Sequence, residues 1–188
     1  MKDIKYKVIG ICGSLRENSY NKAVLEFMVA NSPDTLDIQI ERIDKFPLFN
    51  EDIEKENFPE NVKELREKIR KADGLIIVTP EYNNSIPGGL KNAIDWISRK
   101  DEEGYPFSKK PIMIAGATTG LTGTSRSQKE LRAVLHNINT FPMNKPELFI
   151  SEADKKVFNN KLVDEKAKEV AVKMLNSFVK WIELIKKY

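Results

Sequence analysis

The chain has 188 residues, 40% of them hydrophobic and 31% charged, and its 31 Lys and Arg against 28 Asp and Glu leave a net charge of +3. This composition is typical of a soluble globular protein and predicts a single domain over 1–188, and the interleaved charges do not indicate nucleic-acid binding. One cysteine, Cys12, and one histidine, His136, exclude an internal disulfide and a Cys/His zinc cluster, so no metal site is predicted.

The first third of the chain predicts two strands and one helix. The apolar, β-branched run at 6–12 predicts a buried strand, and the apolar spacing over 21–30 predicts a helix after it. Apolar and polar residues alternate over 36–41, which predicts a half-buried strand near a sheet edge. The segment 44–60 carries two prolines and is predicted to be a long irregular loop that is functional or contacts a partner chain.

The remainder predicts three strands and four helices. The strands cover 74–80, 111–117 and 148–150, and the first two are apolar throughout. The helices cover 61–72, 88–100, 125–135 and 160–187. The inner stripe of the last helix is predicted to consist of Val163, Ala167, Val170, Met174, Phe178, Ile182 and Ile185.

The alternation of strands and helices predicts a parallel sheet that is covered by helices on both faces. No apolar run approaches the ~20 residues of a membrane span, and the N-terminal sequence lacks the small-residue cleavage site of a signal peptide. We therefore expect a cytoplasmic protein without a membrane partner. His136 lies within a helical pattern, which favours a structural or surface role over a catalytic one.

Polar loops follow three of the predicted strands, where an open parallel sheet binds its ligand. They are the first loop (12–19), the second loop (79–89) and the third loop (116–126). The first loop carries Ser14, Arg16 and Ser19 ahead of a helix N-terminus, which suits a phosphate monoester. Asn21 would add a side-chain amide. The alternative is that Ser19 is merely an N-cap and Arg16 is solvated.

The glycine pattern narrows the ligand to a mononucleotide. A single Gly follows the first strand, so the dinucleotide and P-loop fingerprints are both absent.

In the second loop, Tyr82 offers an aromatic face and Asn83 a compact donor and acceptor, which suits the edge of a flat heterocycle. The alternative is a rigid turn with Tyr82 packed on the surface. Cys12 is either a redox thiol or, as we favour, a core residue.

Two motifs, "GSLRENSYN" after the first predicted strand and "PEYNNSIPGGLKNAIDW" after the third, resemble the NADPH-dependent FMN reductase family of quinone, azo and chromate reductases. The resemblance implies a flavodoxin-like three-layer fold, with a five-stranded parallel sheet in the order 2-1-3-4-5. It also implies FMN as cofactor and a homodimer or homotetramer, for which 44–60, Trp96 and Ile97 are candidate interface residues. Trp96 is alternatively a core residue.

The resemblance further implies which residues bind the cofactor. The family's third loop reads Ser-Pro-Gly-x-x-Gly-Gly, whereas this chain reads "ATTGLTGTSR" with Thr124 in place of the last Gly. The first loop and the start of its helix would hold the FMN phosphate, and the second and third loops would border the isoalloxazine. The implied cofactor-binding residues are Ser14, Arg16, Ser19, Tyr20, Asn21, Pro80, Glu81, Tyr82, Asn83, Thr118 and Gly120.

The activity that the resemblance implies is electron transfer from NADPH or NADH through FMN to a small-molecule acceptor. The acceptor would be a quinone, an azo compound, a metal oxyanion or free flavin, and the mechanism ping-pong. No side chain is predicted to be catalytic, because the flavin carries the chemistry. The alternatives are an electron carrier, against which the charge of +3 argues, and a flavin-binding regulatory protein.

Overall fold

A computed structural model describes residues 5–188 and contains a parallel sheet between two layers of helices. The sheet order is β2-β1-β3-β4-β5, with β6 also paired to β4. The strands are β1 (Tyr6–Cys12), β2 (Leu36–Glu41), β3 (Gly74–Val78), β4 (Pro111–Ala117), β5 (Phe141–Pro142) and β6 (Leu148–Ile150). The predicted flavodoxin-like order 2-1-3-4-5 is confirmed.

The fifth position of the sheet is divided between two short strands. Phe141 pairs with Pro111 at the start of β4, and Leu148 pairs with Ala115 near its end, both in parallel. The sequence analysis predicted only the second of these strands. The two-residue strand β5 is too short to show a hydrophobic period, so only its pairing with β4 reveals it.

The core has two halves, one on each face of the sheet. Alternate residues of β1 point to opposite faces, so that Val8 belongs to one half and Ile9 to the other. The Val8 half is covered by α1 (Tyr20–Ala30) and α6 (Glu165–Ile185). The Ile9 half is covered by α3 (Glu60–Lys71), α4 (Gly88–Ile97) and α5 (Ser125–Asn137). Helices on both faces explain why β3 and β4 are buried along their whole length.

The last helix begins five residues later than predicted. After a 3₁₀ turn (Ala153–Lys155), the strands β7 (Val157–Phe158) and β8 (Lys161–Leu162) form a hairpin. Its two turn residues, Asn159 and Asn160, have left-handed φ values of 47° and 58°, as a tight hairpin turn requires. The predicted inward position of Val163 is wrong, since its side chain is 41% exposed ahead of α6.

The segment 44–60 is irregular over 44–50 and 57–59, as predicted, but it is not a loop throughout. It contains a short helix, α2 (Glu51–Glu56), whose first turn is capped by the Asn50 side chain. Trp96 anchors the segment to α4, because its indole N–H donates to the Pro47 carbonyl at 2.8 Å and its ring meets Phe49 edge-on at 5.0 Å. Trp96 and Ile97 are fully buried within this chain, so they are core residues and not interface residues.

Within residues 5–188, none of the helices combines the length and the apolar character that crossing a lipid bilayer would demand. His136 lies exposed near the end of α5, on the surface as the sequence analysis expected.

Candidate functional site

The three polar loops lie side by side at one edge of the sheet. They follow β1, β3 and β4, which are adjacent and parallel, so their carboxyl ends meet at the same edge. The roots of the loops are joined by main-chain hydrogen bonds from Gly13 to Val78 (2.8 Å) and from Thr79 to Ala115 (2.9 Å). The fold therefore brings together the residues that the two motifs pointed to.

The first loop presents donors at the N-terminus of α1. Ser14 and Ser19 are both buried, and the Ser19 hydroxyl oxygen accepts from the Lys22 N–H at 3.3 Å. Ser19 is thus the N-cap of α1, as one of the two interpretations held, and its own hydroxyl proton remains a donor. The N–H groups of Tyr20 and Asn21 belong to the first turn, where a helix offers no acceptor of its own.

The side chain of Asn21 is hydrogen-bonded within the fold. Its amide nitrogen donates to the Ala117 carbonyl at 2.9 Å, and its amide oxygen accepts from the Ala117 N–H at 2.8 Å. Both partners are buried, so this pair ties α1 to the end of β4. The predicted contact of the Asn21 side chain with a phosphate stays a prediction, and the Asn21 main-chain N–H lies in the first turn of α1.

Arg16 is the exposed cation of the first loop. Its guanidinium carbon lies 5.9 Å from the centre of the Tyr20 ring, within the range of a cation–π contact. Arg16 borders a cleft of about 400 Å³ together with Ser14, Lys22 and Arg42. Arg42 is held by Asp44 in a two-pronged ion pair at 2.9 Å, and Lys22 lies 3.8 Å from Glu26. Arg16 is thus the cation that the loop itself contributes to this cleft.

Cys12 lies beneath the first loop at the end of β1. Its thiol donates to the Ser14 carbonyl at 3.5 Å and lies 3.9 Å from the Ser19 hydroxyl. Burial raises the pKa of the Cys12 thiol above its usual range, and this effect exceeds the opposing hydrogen bonds. A thiol with a raised pKa holds little thiolate at neutral pH, which agrees with the core interpretation and disfavours a redox role.

The tip of the second loop is a two-residue hairpin. Tyr82 and Ser85 exchange main-chain hydrogen bonds of 3.2 and 3.0 Å, and between them Asn83 and Asn84 have φ values of 50° and 62°. Left-handed φ at both central residues defines the tight turn that asparagine tolerates well. Pro80 is buried at the root, while Asn83 and the 46%-exposed Tyr82 project at the tip.

The carboxylate of Glu81 bridges the second loop to the third. One oxygen accepts from the Thr122 hydroxyl at 3.0 Å, and the other accepts from the N–H groups of Arg126 (3.0 Å) and Ser127 (3.1 Å). We call these three contacts the Glu81 bridge. The sequence predicts Glu81 along a heterocycle, but no local signal ties Thr122 or Arg126 to it.

The third loop combines an open stretch with a constrained one. Thr118 is fixed by its N–H to the Ile150 carbonyl (2.9 Å), and an added Cβ at Gly120 would meet nothing nearer than 3.8 Å. Gly123 has a φ of 60°, and a Cβ there would collide with Phe149 at 2.8 Å. Thr124 is also left-handed, at 73°, and its buried hydroxyl accepts from the Gln128 amide at 3.0 Å.

The chemistry of the loops is that of an anion and heterocycle site. Hydroxyl, main-chain N–H and guanidinium donors gather on the first loop, and peptide groups with an exposed aromatic ring lie on the second. In the part of the chain from Lys5 onward, no three His, Cys, Asp or Glu side chains converge to hold a metal ion.

Comparisons with known proteins agree with this geometry. The sequence profile of the NADPH-dependent FMN reductase family matches residues 6–155. An NAD(P)H-dependent FMN reductase of Pseudomonas aeruginosa is 44% identical over 96% of this chain and 97% of its own length. A quinone reductase of Escherichia coli is 37% identical over 97% and 98%.

A solved structure is similar as well. FerB of Paracoccus denitrificans, a flavoenzyme described as an NAD(P)H:(acceptor) oxidoreductase, superposes with a TM-score of 0.85 at 30% identity, over 95% of this chain and 97% of its own. The resemblance that rested on two loop motifs is thus confirmed over almost the whole sequence. The chain belongs to the NADPH-dependent FMN reductase family.

Proposed function

We propose that the chain binds FMN in its three loops and transfers electrons from NADPH or NADH to a small-molecule acceptor, with quinones as the first candidates. The oxidoreductase class and the FMN cofactor follow from the family to which the chain belongs. The observation that carries the assignment of the site is the donor-lined first loop, which ends at a helix N-terminus beside the peptide-rich second loop.

The first loop fits the phosphate end of FMN. The buried hydroxyls of Ser14 and Ser19, the first-turn N–H groups of Tyr20 and Asn21 and the guanidinium of Arg16 are all donors. The positive end of the α1 dipole favours a dianion at this place. A loop with a single glycine and several hydroxyls suits one phosphate group better than a pyrophosphate.

The second and third loops fit the ring end. Pro80, Tyr82 and Asn83 supply a short run of backbone and side-chain groups of a size suited to the edge of a flavin, and Glu81 joins them to the third loop. On the opposite side Thr118 is half-buried and Gly120 is open, so the third loop can approach a flat ring closely. Glu81 directs its charge to the N-terminus of α5, where the helix dipole favours it.

Bound FMN would supply the chemistry itself, accepting a hydride from the pyridine nucleotide and passing electrons to the acceptor. The protein residues then have three tasks: the first loop binds the phosphate, the second and third loops orient the ring, and their N–H groups stabilise negative charge on it. The reaction requires no acidic or basic side chain, in agreement with an exposed His136 and a protonated Cys12. Because donor and acceptor would use one open ring face in turn, we expect ping-pong kinetics.

The proposal is tested on the purified protein by its absorption spectrum, by the mass of the released cofactor and by NAD(P)H oxidation with a panel of quinones, azo dyes, metal oxyanions and free flavin. We expect stoichiometric FMN and turnover with at least one acceptor. Stoichiometric FAD would contradict the site assignment. Bound FMN without NAD(P)H oxidation would favour the electron carrier or the regulatory protein.

We further infer a homodimer or homotetramer. The inference rests on the family to which the chain belongs, and the candidate interface is the segment 44–60, which Trp96 holds in place and on which Leu48 is 83% exposed. Light scattering of the FMN-loaded protein at micromolar concentration gives the assembly, and a monomer would contradict this inference.

A further inference from the structure

We propose that Glu81 is a positioning residue, and that the Glu81 bridge sets the spacing of the second and third loops and thereby the affinity and the reduction potential of the bound flavin. The inference rests on the proposed function, which places FMN between these loops. It assigns to the Glu81 side chain a role apart from direct contact with the cofactor.

Three hydrogen bonds join the Glu81 carboxylate to the third loop and to α5. A single carboxylate accepts from one hydroxyl and two main-chain N–H groups, all between 3.0 and 3.1 Å. The acceptor comes from the second loop, and all three donors come from the third loop and the helix that follows it. Hydrogen bonds to an ionised acceptor are about twice as strong as neutral ones, so the bridge is a firm connection between two loops.

The helix α5 depends on this carboxylate for its cap. The residue at the N-cap position, Thr124, is left-handed, and its hydroxyl is turned to the Gln128 amide. The first-turn N–H groups of Arg126 and Ser127 are instead satisfied by Glu81, which lies 45 and 46 residues earlier in the chain. The negative charge also meets the positive end of the helix dipole.

Further contacts show the direction in which the second loop runs. Beyond Glu81, the Asn84 side chain accepts from the Arg126 guanidinium, and the Ser85 hydroxyl donates to Glu130 one turn further along α5. The loop therefore lies along the start of α5, and Glu81 is the contact that lies between Pro80 and Tyr82, after a contact of Thr79 with Ser127 at 3.4 Å. Movement of Glu81 relative to α5 would change the gap into which the proposed ring fits.

The experiment compares Glu81→Ala and Glu81→Gln with Asp164→Ala. Asp164 caps α6 by accepting from the Ala167 N–H at 2.8 Å and lies outside the three loops, so its loss removes a helix cap without touching the site. Glutamine keeps the bridge, because its amide oxygen can accept from the two N–H groups while its NH₂ group donates to Thr122.

For the FMN-loaded protein the measurements are the FMN dissociation constant and the midpoint potential. We expect both alanine variants to lose thermal stability to a similar extent, while only Glu81→Ala weakens FMN binding, by about tenfold, and shifts the potential. Glu81→Gln should restore part of the affinity and of the potential, because glutamine keeps the hydrogen bonds but not the charge. Equal affinity and potential in wild type and Glu81→Ala would overturn the proposal, and so would a failure of glutamine to rescue.

A measurement on the FMN-free protein separates this proposal from the proposed function. Amide hydrogen exchange at Thr118 and Gly120 reports the mobility of the third loop away from the cap itself. We expect faster exchange there in Glu81→Ala than in wild type or Asp164→Ala, and unchanged exchange would refute the bridge. If the wild-type chain fails to bind FMN, the proposed function fails, and this exchange measurement still decides whether Glu81 positions the loop.

Discussion

The first loop and the pair formed by the second and third loops use polar side chains in opposite ways. In the first loop, Arg16 is exposed, and Ser14 and Ser19 keep donors near an open helix N-terminus. In the other two, the side chains of Glu81, Asn84 and Ser85 are bonded to α5 or to the third loop. Donors without a partner in the protein determine how tightly an anion binds. Side chains that are hydrogen-bonded within the protein determine where the backbone lies.

Asn21 adjoins the first loop, but its side chain is hydrogen-bonded within the protein, as those of the second loop are. Of the variants below, we expect Asn21→Ala to have the largest effect. Asn21→Ala leaves the N–H and C=O of Ala117 buried without their partner. An unsatisfied buried polar group costs about 1–3 kcal/mol, so we expect a loss of about 2–5 kcal/mol in the free energy of unfolding. Urea denaturation of the FMN-free protein measures it.

Asn31→Ala is the matched control, since Asn31 makes an exposed side-chain hydrogen bond to Phe27 at the other end of the same helix. We expect this variant to lose about 0.5 kcal/mol or less. Similar losses for the two variants would show that the two hydrogen bonds between Asn21 and Ala117 stabilise the fold no more than one exposed hydrogen bond does. The contrast between buried and exposed hydrogen bonds would then not hold.

Arg16 should show the reverse behaviour, with an effect on binding and none on folding. A charge-assisted contact with phosphate predicts that Arg16→Ala raises the FMN dissociation constant by about ten- to a hundredfold while the unfolding midpoint stays unchanged. Arg16→Lys should recover part of the affinity, because a point charge cannot reproduce the planar fork. Fluorescence titration of the FMN-free protein gives the constants.

Arg42→Ala tests whether FMN binding requires Arg16 in particular or any cation near the cleft. Arg42 borders the same cleft but is paired with Asp44 in two hydrogen bonds of 2.9 Å. We expect a change of less than about threefold in the FMN dissociation constant, as screening of a solvated pair suggests. An unchanged constant for Arg16→Ala would remove Arg16 from the site and leave the first loop as a helix cap only.

The smallest effect is expected at Cys12, which lies directly beneath the first loop. Its pKa is raised by burial, so the protonated thiol is favoured in the folded chain and alkylation at pH 8 should be at least about tenfold slower than in urea. The same shift predicts stability that is complete below the unfolded pKa and declines as the pH rises through the folded value. Mass spectrometry after timed iodoacetamide treatment measures the rates.

Equal alkylation rates in the folded and unfolded chains would show that the first loop opens readily above Cys12. The contrast with the bonded second and third loops would then be one of mobility as well as of ligand donors. Cys12→Ala should change FMN binding little, since the thiol bonds to the Ser14 carbonyl within the protein.

Several features of this molecule are determined by short stretches of sequence. The apolar runs of β1, β3 and β4 and the spacing of the helices follow from local periodicity, which decides the parallel sheet and its covering. The motif around Ser14 and Arg16 places donors at a helix N-terminus, and that position also depends on neighbouring residues alone. These local signals are enough to predict the family, the edge of the sheet at which the three loops lie and the class of ligand.

The tertiary structure alone decides which polar group meets which. The sequence predicts Asn21 as a phosphate ligand, and only the structure shows that its amide also bonds to Ala117 of β4, 96 residues later. The sequence predicts Glu81 at the ring border but not its hydrogen bonds to two N–H groups of α5, and it does not predict that Trp96 holds the segment 44–60 in place. The physical reason is that hydrophobic periodicity depends on residues that are close in the sequence. A polar group, in contrast, forms its hydrogen bond with the nearest suitable group of the folded chain, which can be far away in the sequence.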